Sequence, residues 1–459
     1  MIGFLTNNQI EYVLYHLNLT VNLNDELRRS MCFIKSENQL KGLTQDIIFI
    51  QSSKEYNENS VIYVEDLPVL FPNSSKINFY IIENNKLIFH HDILKSCFFL
   101  LSGYQEYQSG ESDQFGRFKY SESVQKKLGF ITKPLVNYYF GIIIRGINEF
   151  LKTKGLKVEK KLFFDKFAFF LTHDIDYIDY FTFNRLLYKF KEVTGFVKSY
   201  YSFKTNIKHI LETLIELLKF NKKKNPSWSF KYLRTIEKEH GYRSAFYFLH
   251  KDLKHQDSKY LFSEERVKGI FKFLIDENCE IGIHGNVRSV ENKDAAKHFL
   301  KKINQELPFN ISGIRQHRLL YKLPKTALIH EELGIKYDST LCFAEHEGFR
   351  NSFCLPFKLY DFENDRMINV WQIPLNVMDV TLFHYRNLNL SEAKTAIKTL
   401  ISEVKKFNGV FTLLWHNDFF DEDRYHGIKA FYTDIHHYIK TESPESCLGY
   451  EIIKKCSES

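Results

Sequence analysis

From Phe167 onward, short apolar runs alternate with segments in which apolar residues recur every third or fourth position. The runs at 167–171, 244–249, 280–284, 311–315, 335–339, 371–375 and 410–416 are predicted strands, rich in aromatic and β-branched residues and apolar on both faces. Between them the period changes. Val267, Ile270, Phe271 and Leu274 share one helical face after Ser263, the predicted N-cap, which is followed by Glu264 and Glu265. Ala393, Ile397, Leu400, Ile401 and Val404 share another, predicted to start at Ser391 and stop at Asn408-Gly409. Alternation of this kind predicts parallel strands joined by crossover helices, hence an α/β fold, either a barrel or a doubly wound sheet.

The first 155 residues follow a different pattern. Runs such as Asp46-Ile47-Ile48-Phe49-Ile50 and Ile77-Asn78-Phe79-Tyr80-Ile81-Ile82 are separated by turns rich in Asn and Ser, which predicts a smaller mixed α/β domain at 1–155. The polar, basic stretch 154–161 marks the junction, and the second domain is predicted at 165–440. Within it lies a Lys-rich insertion at about 181–242, which contains Asn221-Lys222-Lys223-Lys224-Asn225. Its stripe of Ile207, Ile210, Leu211, Leu214, Ile215 and Leu218 predicts a helix that covers the barrel and turns a basic face to water. A membrane-surface or lipid-carrier site is the alternative, so peripheral membrane association stays open.

Composition narrows the partners. Among 459 residues, 43 Phe and 27 Tyr indicate a folded chain with extensive ring packing. A net charge of +7 from 63 basic and 56 acidic residues permits anionic ligands without implying nucleic acid, and no nucleic-acid-binding signature is present. The seven cysteines form no CxxC pair, which fits reduced thiols. The start lacks the pattern of a secretion signal and no window reaches the length of a membrane span, so the expectation is a cytoplasmic protein without an integral membrane segment.

In either α/β architecture, ligands bind at the carboxyl ends of the strands. Those ends hold His173-Asp174-Ile175-Asp176, His284, Arg315-Gln316-His317, Asp338, Asp379 and His416-Asn417-Asp418. In an extended chain Thr172, Asp174 and Asp176 share one face and His173 takes the other. Two carboxylates held together repel unless a cation or proton intervenes, so a divalent metal beside a free general base would resolve the conflict. For an isolated pair, a solvated loop is the plainer reading. Asp379 is read equally as a site or turn residue, and His346 as a cleft or merely exposed loop residue. His90, His91, His436 and His437 belong to no motif, and neither a nucleophilic serine elbow nor a phosphate-cradling glycine loop is present.

The succession Thr172-His173-Asp174-Ile175-Asp176, Glu280-Ile281-Gly282-Ile283-His284-Gly285, Arg315-Gln316-His317, Tyr337-Asp338-Ser339-Thr340 and Leu413-Leu414-Trp415-His416-Asn417 resembles the NodB-type polysaccharide deacetylases, carbohydrate esterase family 4. The likeness spans about 167–438. The preceding region, with Tyr104-Gln105-Glu106-Tyr107 and Asp113-Gln114-Phe115-Gly116-Arg117, resembles an uncharacterised domain that accompanies such deacetylases in bacteria. The resemblance implies a distorted (β/α) barrel that removes acetyl groups from N-acetylated sugars with one divalent metal, zinc first and cobalt or nickel as alternatives. It implies Asp174 as general base, Asp176 and His284 as metal ligands, Arg315 as the cation that holds the base, and His416 as the acid that protonates the leaving amine. Leu414 would line the acetyl pocket, with Trp415, His346 and Asp379 on the substrate side, and Asp338 would raise the pKa of His416.

One departure falls on the metal. The family's second motif is HxxxH, and here His284-Gly285-Asn286-Val287-Arg288 puts an arginine, which cannot coordinate a cation, at the second position. His317 would replace the missing ligand if the strand through Arg315 continued that far, with Asn286 and Ser289 as weaker choices. Otherwise Asp176 and His284 hold the ion with waters, or the site is lost. The expected function is removal of N-acetyl from an acetamido sugar during bacterial surface polysaccharide biosynthesis, on a nucleotide-linked or lipid-linked precursor. The alternatives are a sugar N-deformylase and a catalytically silent glycan-binding or scaffold protein.

Overall fold

A computed structural model describes residues 3–152, 154–218, 225–251 and 258–458. Its first part holds six short strands: β1 (Met31–Ile34), β2 (Ile47–Ile50), β3 (Ile62–Val64), β4 (Leu67–Val69), β5 (Tyr80–Glu83) and β6 (Lys86–Phe89). Strands β1, β2 and β6 run parallel, with β5 antiparallel on the β6 edge, while β3 and β4 form a separate hairpin. Both hairpins turn through two residues with positive φ, Glu65-Asp66 and Asn84-Asn85, as two-residue loops that match strand twist require.

The second part is built on one sheet of ten strands: β7 (Ala168–Ile175), β8 (Ser244–Leu249), β9 (Glu280–Gly285), β10 (Gly313–Gln316), β11 (Tyr337–Asp338), β12 (Phe357–Asp361), β13 (Arg366–Gln372), β14 (Val377–Met378), β15 (Val410–Leu414) and β16 (Glu445–Ser446). The order is β12-β13-β11-β10-β9-β8-β7-β15-β14, with β16 also on β7, and only the β12–β13 pairing is antiparallel. The sheet curls into a half-barrel, and the smaller α/β unit precedes it. That unit packs on the β12 side: Tyr12 Oη donates to the Lys358 carbonyl at 2.7 Å, and Arg350 holds Glu106 through two bonds of 2.7 and 2.6 Å.

Parity along β7 decides what faces where. All eight of its residues are buried. Phe169, Leu171 and Ile175 join the large core beneath the helices, while Ala168 and Phe170 point into the curl with Ala245, Tyr247 and Tyr337. Each Phe fully removed from water contributes about 2–3 kcal/mol, so the register of β7 is strongly specified. Thr172 and Asp174 continue the inward parity and come to the carboxyl end of the curl.

Several expected elements are displaced. The strand expected at 371–375 is instead the end of β13 and, beyond a break, β14, which pairs with β15 on the other flank of the sheet. Pro374 lies in that break and has no N–H for a ladder. The helix Glu265–Asp276 is preceded by Glu264 rather than Ser263, without a side-chain cap. The helix Leu390–Lys406 starts one residue earlier than expected, because Asn389 and Glu392 form a capping box. In the insertion, most of the stripe on the helix Phe203–Leu218 faces outward: Leu211, Leu214, Ile215 and Leu218 are exposed, whereas Ile210 is buried with Asn206, His209, Thr213 and Glu216. Lys204 and Lys208 are solvated as expected, but most of the apolar stripe is solvated with them instead of covering the barrel. The lysine run at 221–224 lies outside the described residues.

All seven cysteines are free thiols. Among the described residues, no helix is long and apolar enough to cross a membrane.

Candidate metal and acid–base site

The carboxyl ends of β7, β9, β10, β14 and β15 converge on a cleft of about 430 Å³ lined by Asp174, Asp176, His284, His317 and His416. Asp176 Oδ1 lies 3.3 Å from His284 Nε2 and 3.3 Å from His317 Nδ1, and the two histidine nitrogens are 3.2 Å apart. The three form a nearly equilateral triangle. A tetrahedral ion with ligand bonds of about 2.0–2.1 Å separates its ligand atoms by about 3.3–3.4 Å, so the triangle has the dimensions of one tetrahedral face. Asp176 Oδ1 is buried and has no hydrogen-bond partner, an arrangement that a cation would satisfy. The imidazoles hold Asp176 well below the usual carboxylate range even though burial pushes the other way. His284 Nδ1–H donates to the Arg315 carbonyl at 2.9 Å, which turns the Nε2 lone pair toward the triangle. These residues fit a divalent metal.

His317 reaches the cleft by a route different from the expected one. The strand β10 ends at Gln316, and the chain turns through Arg318 and Leu319, both with positive φ, so His317 sits on a tight turn instead of a continued strand. Of the weaker choices, Asn286 caps its own turn at the Ser289 N–H, and Ser289 Oγ donates to Gln316 Oε1 at 3.0 Å. Arg288 lies on the turn Val287–Val290, away from the cleft lining.

Asp174 sits beside the triangle, its Oδ2 3.6 Å from His284 Nε2. Its Oδ1 accepts from Arg315 Nη1 at 3.1 Å. Arg315 is fully buried and held at Thr172 Oγ1, the Ser339 carbonyl and Ser339 Oγ, with its plane over the Tyr247 ring. Below it a polar column continues: Tyr247 and Tyr337 hydroxyls 3.0 Å apart, then Tyr337 donating to Glu280 at 2.8 Å. His173 takes the opposite face of β7, between the Trp415 carbonyl and Glu237.

His416, two residues beyond the end of β15, lines the same cleft as the metal triangle. Asp379 accepts its ring Nδ1–H at 2.7 Å and its backbone N–H at 2.6 Å. Burial opposes the charge on His416, but Asp379 prevails, and the pKa rises to about 10. The ring's Nε2 therefore carries the second proton. Burial also pushes neighbouring Asp418 up to about 6.

Other expected site residues lie elsewhere. Asp338 is buried, accepts the Thr340 N–H at 2.7 Å and faces His330 at 3.2 Å, so it does not serve His416. Trp415 is sealed in an aromatic core with Phe419, Phe431 and Tyr432. His346 is held by Arg386 and the Glu347 carbonyl, outside the cleft lining. Leu414 is buried in an apolar cluster with Leu319 and Met378, and those two reach the cleft surface.

Four further residues line the cleft without a role expected from sequence. Met378 and Val380 flank Asp379, and their spacing of two in sequence was a usable signal. Phe115 and Arg117 come from the smaller unit: Arg117 pairs with Asp113 at 2.6 Å and donates to the Arg318 carbonyl and the Tyr385 hydroxyl, each at 3.2 Å. Nothing in local sequence announces that this unit walls the cleft.

A family of unknown function, DUF7033, matches residues 4–152. No curated protein matches the chain. Among solved structures, a candidate polysaccharide deacetylase from Mycobacterium smegmatis is similar at 13% identity and a TM-score of 0.41, over 64% of this chain and 91% of that one. A CE4 family pseudoenzyme from Bacillus anthracis is similar at 10% identity and a TM-score of 0.31, over 63% of this chain and 66% of that one. A mutant of that pseudoenzyme with restored enzymatic activity aligns at 10% identity and 0.31, over 68% and 85%. These likenesses are loose, and the reading of the site rests on its own atoms.

Proposed function

We propose that the protein is a metal-dependent hydrolase that removes the N-acetyl group from an acetamido sugar. The observation that carries this is the Asp176–His284–His317 triangle, flanked on one side by a carboxylate fixed by arginine and on the other by a histidine charged by aspartate. Asp176, His284 and His317 would hold one divalent ion, zinc by preference for this donor set. When bound, it supplies Lewis-acid polarisation of an acyl carbonyl.

The chain's own residues supply the proton transfers. Asp174, anchored through Oδ1, has Oδ2 turned to the triangle, where it takes a proton from an attacking water. Arg315 keeps that carboxylate aimed. His416, protonated at Nε2 because Nδ1 is engaged by Asp379, delivers a proton to the departing amine. Met378, Leu319 and Val380 offer an apolar surface for the acyl methyl. A nucleotide-linked or lipid-linked amino-sugar precursor of a surface polysaccharide suits a cleft with the exposed Arg318 at its edge.

The test is to reload chelated protein with zinc and measure acetate and formate released from nucleotide-linked and lipid-linked N-acyl hexosamines, beside Asp174→Asn. Acetate release that needs both metal and Asp174 supports the reading. Formate in its place makes the protein a deformylase, and sugar binding indifferent to chelator and to Asp174→Asn makes it a silent glycan-binding protein.

A further inference from the structure

The helical insertion turns most of its large apolar side chains outward and buries a mainly polar side. In its helix Phe183–Val193 the buried residues are Leu186, Lys189 and Glu192, and in its helix Phe203–Leu218 they are Asn206, His209, Ile210, Thr213 and Glu216. Polar bonds hold this inner side: Lys189 Nζ contacts Glu192 at 2.6 Å and Asn206 at 3.2 Å, Tyr201 donates to Asp421 at 2.6 Å, and His209 lies 2.9 Å from Asp423. Apart from the buried Leu186 and Ile210, large apolar residues point outward at helical spacing, Leu187 and Phe190 on one helix, Phe203, Leu211 and Leu218 on the other. Phe196, in the connecting loop, is 85% exposed and Leu218 80%. A helix that packs on a soluble core shows the reverse arrangement. An apolar surface of this extent marks a contact site.

Charge identifies the partner. Lys191, Lys198 and Lys204 are exposed around the apolar stripe, Lys208 is exposed but paired with Asp423 at 2.9 Å, and the exposed carboxylate within 183–218 is Glu212. Lysine is depleted from the cores of protein–protein interfaces, and two copies of this face would bring like charges together. At a lipid surface the same lysines extend to the headgroups while the rings and leucines enter the acyl boundary. We propose that this helical hairpin docks the protein on an anionic lipid surface. The loop that joins the helices also touches the cleft rim, where the Tyr200 ring lies 6.0 Å from that of His384, a lining residue. Docking therefore presents the mouth of the cleft to the membrane, whatever reaction the cleft performs.

The experiment is flotation of the full chain with vesicles of phosphatidylcholine alone or with roughly 30% phosphatidylglycerol. Phe196→Ser, Phe203→Ser and Leu218→Ser are combined in one variant, which should fold because these side chains are exposed. Light scattering and a thermal melt accompany each sample. Wild type should float with the anionic vesicles, and the triple variant should lose at least about tenfold in partition at an unchanged melting temperature. Wild type that stays at the bottom with anionic vesicles overturns the proposal. So does a wild-type dimer that becomes monomeric in the variant without vesicle binding, which would assign the face to a second copy.

Discussion

His416 and Asp379 are joined at two points, the ring Nδ1–H and the backbone N–H, so one buried carboxylate both orients the imidazole and keeps it charged. The pair has a definite pH signature. His416 is raised from 6.5 to about 10 by Asp379 against the effect of burial, so its proton is present below about pH 10 and lost above it. Its contribution to stability has the same sign: complete below pH 6.5 and lost as pH rises through about 10. Asp379→Asn should move the alkaline limb of the activity profile down by about one pH unit or more and lower kcat by roughly ten- to a hundredfold. An unchanged alkaline limb would remove His416 from the role of acid.

The metal triangle makes a prediction that needs no substrate. Alanine at Asp176, His284 or His317 should each weaken zinc and cobalt binding by about 100-fold or more, because the two remaining ligands no longer close a tetrahedral face. Arg288→Ala should leave affinity unchanged, since Arg288 lies away from the cleft lining. Cobalt absorption spectra supply a second readout, with intensity expected to fall in His317→Ala. Full affinity in that variant would show that the third ligand is some other group.

Local geometry explains how much of this was legible. The alternation of β7 placed Thr172, Asp174 and Asp176 on one face because a strand's period is fixed by its backbone. The strand–helix succession likewise exposed the parallel architecture. The route of His317 was hidden, because Arg318 and Leu319 adopt positive φ without glycine to signal it. Asp338 and Asp379 both end strands, and only the lateral step of β14 to the side of β15 decides which of them meets His416. In the insertion, the helical period was readable, but which face would be covered depends on tertiary partners such as Asp421 and Asp423. Arg117 is remote in sequence from everything it touches on the second domain.

Tight packing under the site can be tested at Gly282. A Cβ there would lie 2.5 Å from the Tyr247 ring, on which Arg315 rests. Gly282→Ala should cost about 1–3 kcal/mol in urea unfolding and also lower activity, because the displaced ring releases the cation that holds Asp174. A normal pH profile with full activity would show that Arg315 is held sufficiently by Ser339 and Thr172.

Glu237 carries a separate structural load behind β7. It accepts from His173 Nε2 at 2.8 Å and Ser244 Oγ at 2.6 Å and pairs with Arg234, all out of water. Although burial raises its pKa, His173 and Arg234 lower it to about 2. Its stabilisation is therefore complete above pH 4.5 and lost as pH falls toward 2. Glu237→Gln should cost about 3–5 kcal/mol at neutral pH and flatten the acid side of the stability curve. Equal acid sensitivity in the variant would assign that slope to other carboxylates.

The most discriminating substitution lies outside the second domain. Arg117, from the unit matched by DUF7033, donates to the Arg318 carbonyl on the same positive-φ turn that delivers His317 to Asp176 and His284. It is itself braced by Asp113 and by the Tyr385 hydroxyl. Removing it frees a turn whose left-handed backbone is unfavourable without such support. Arg117→Ala should therefore weaken metal binding by about tenfold, as loss of an outer-sphere partner does, with only about 1–2 kcal/mol lost in global stability. Arg117→Lys should recover the charge but not the two-pronged contact, and so restore little of the affinity. Metal affinity that ignores both substitutions would mean that the smaller unit walls the cleft without tuning it, whereas the expected loss would make that unit part of the metal site's support.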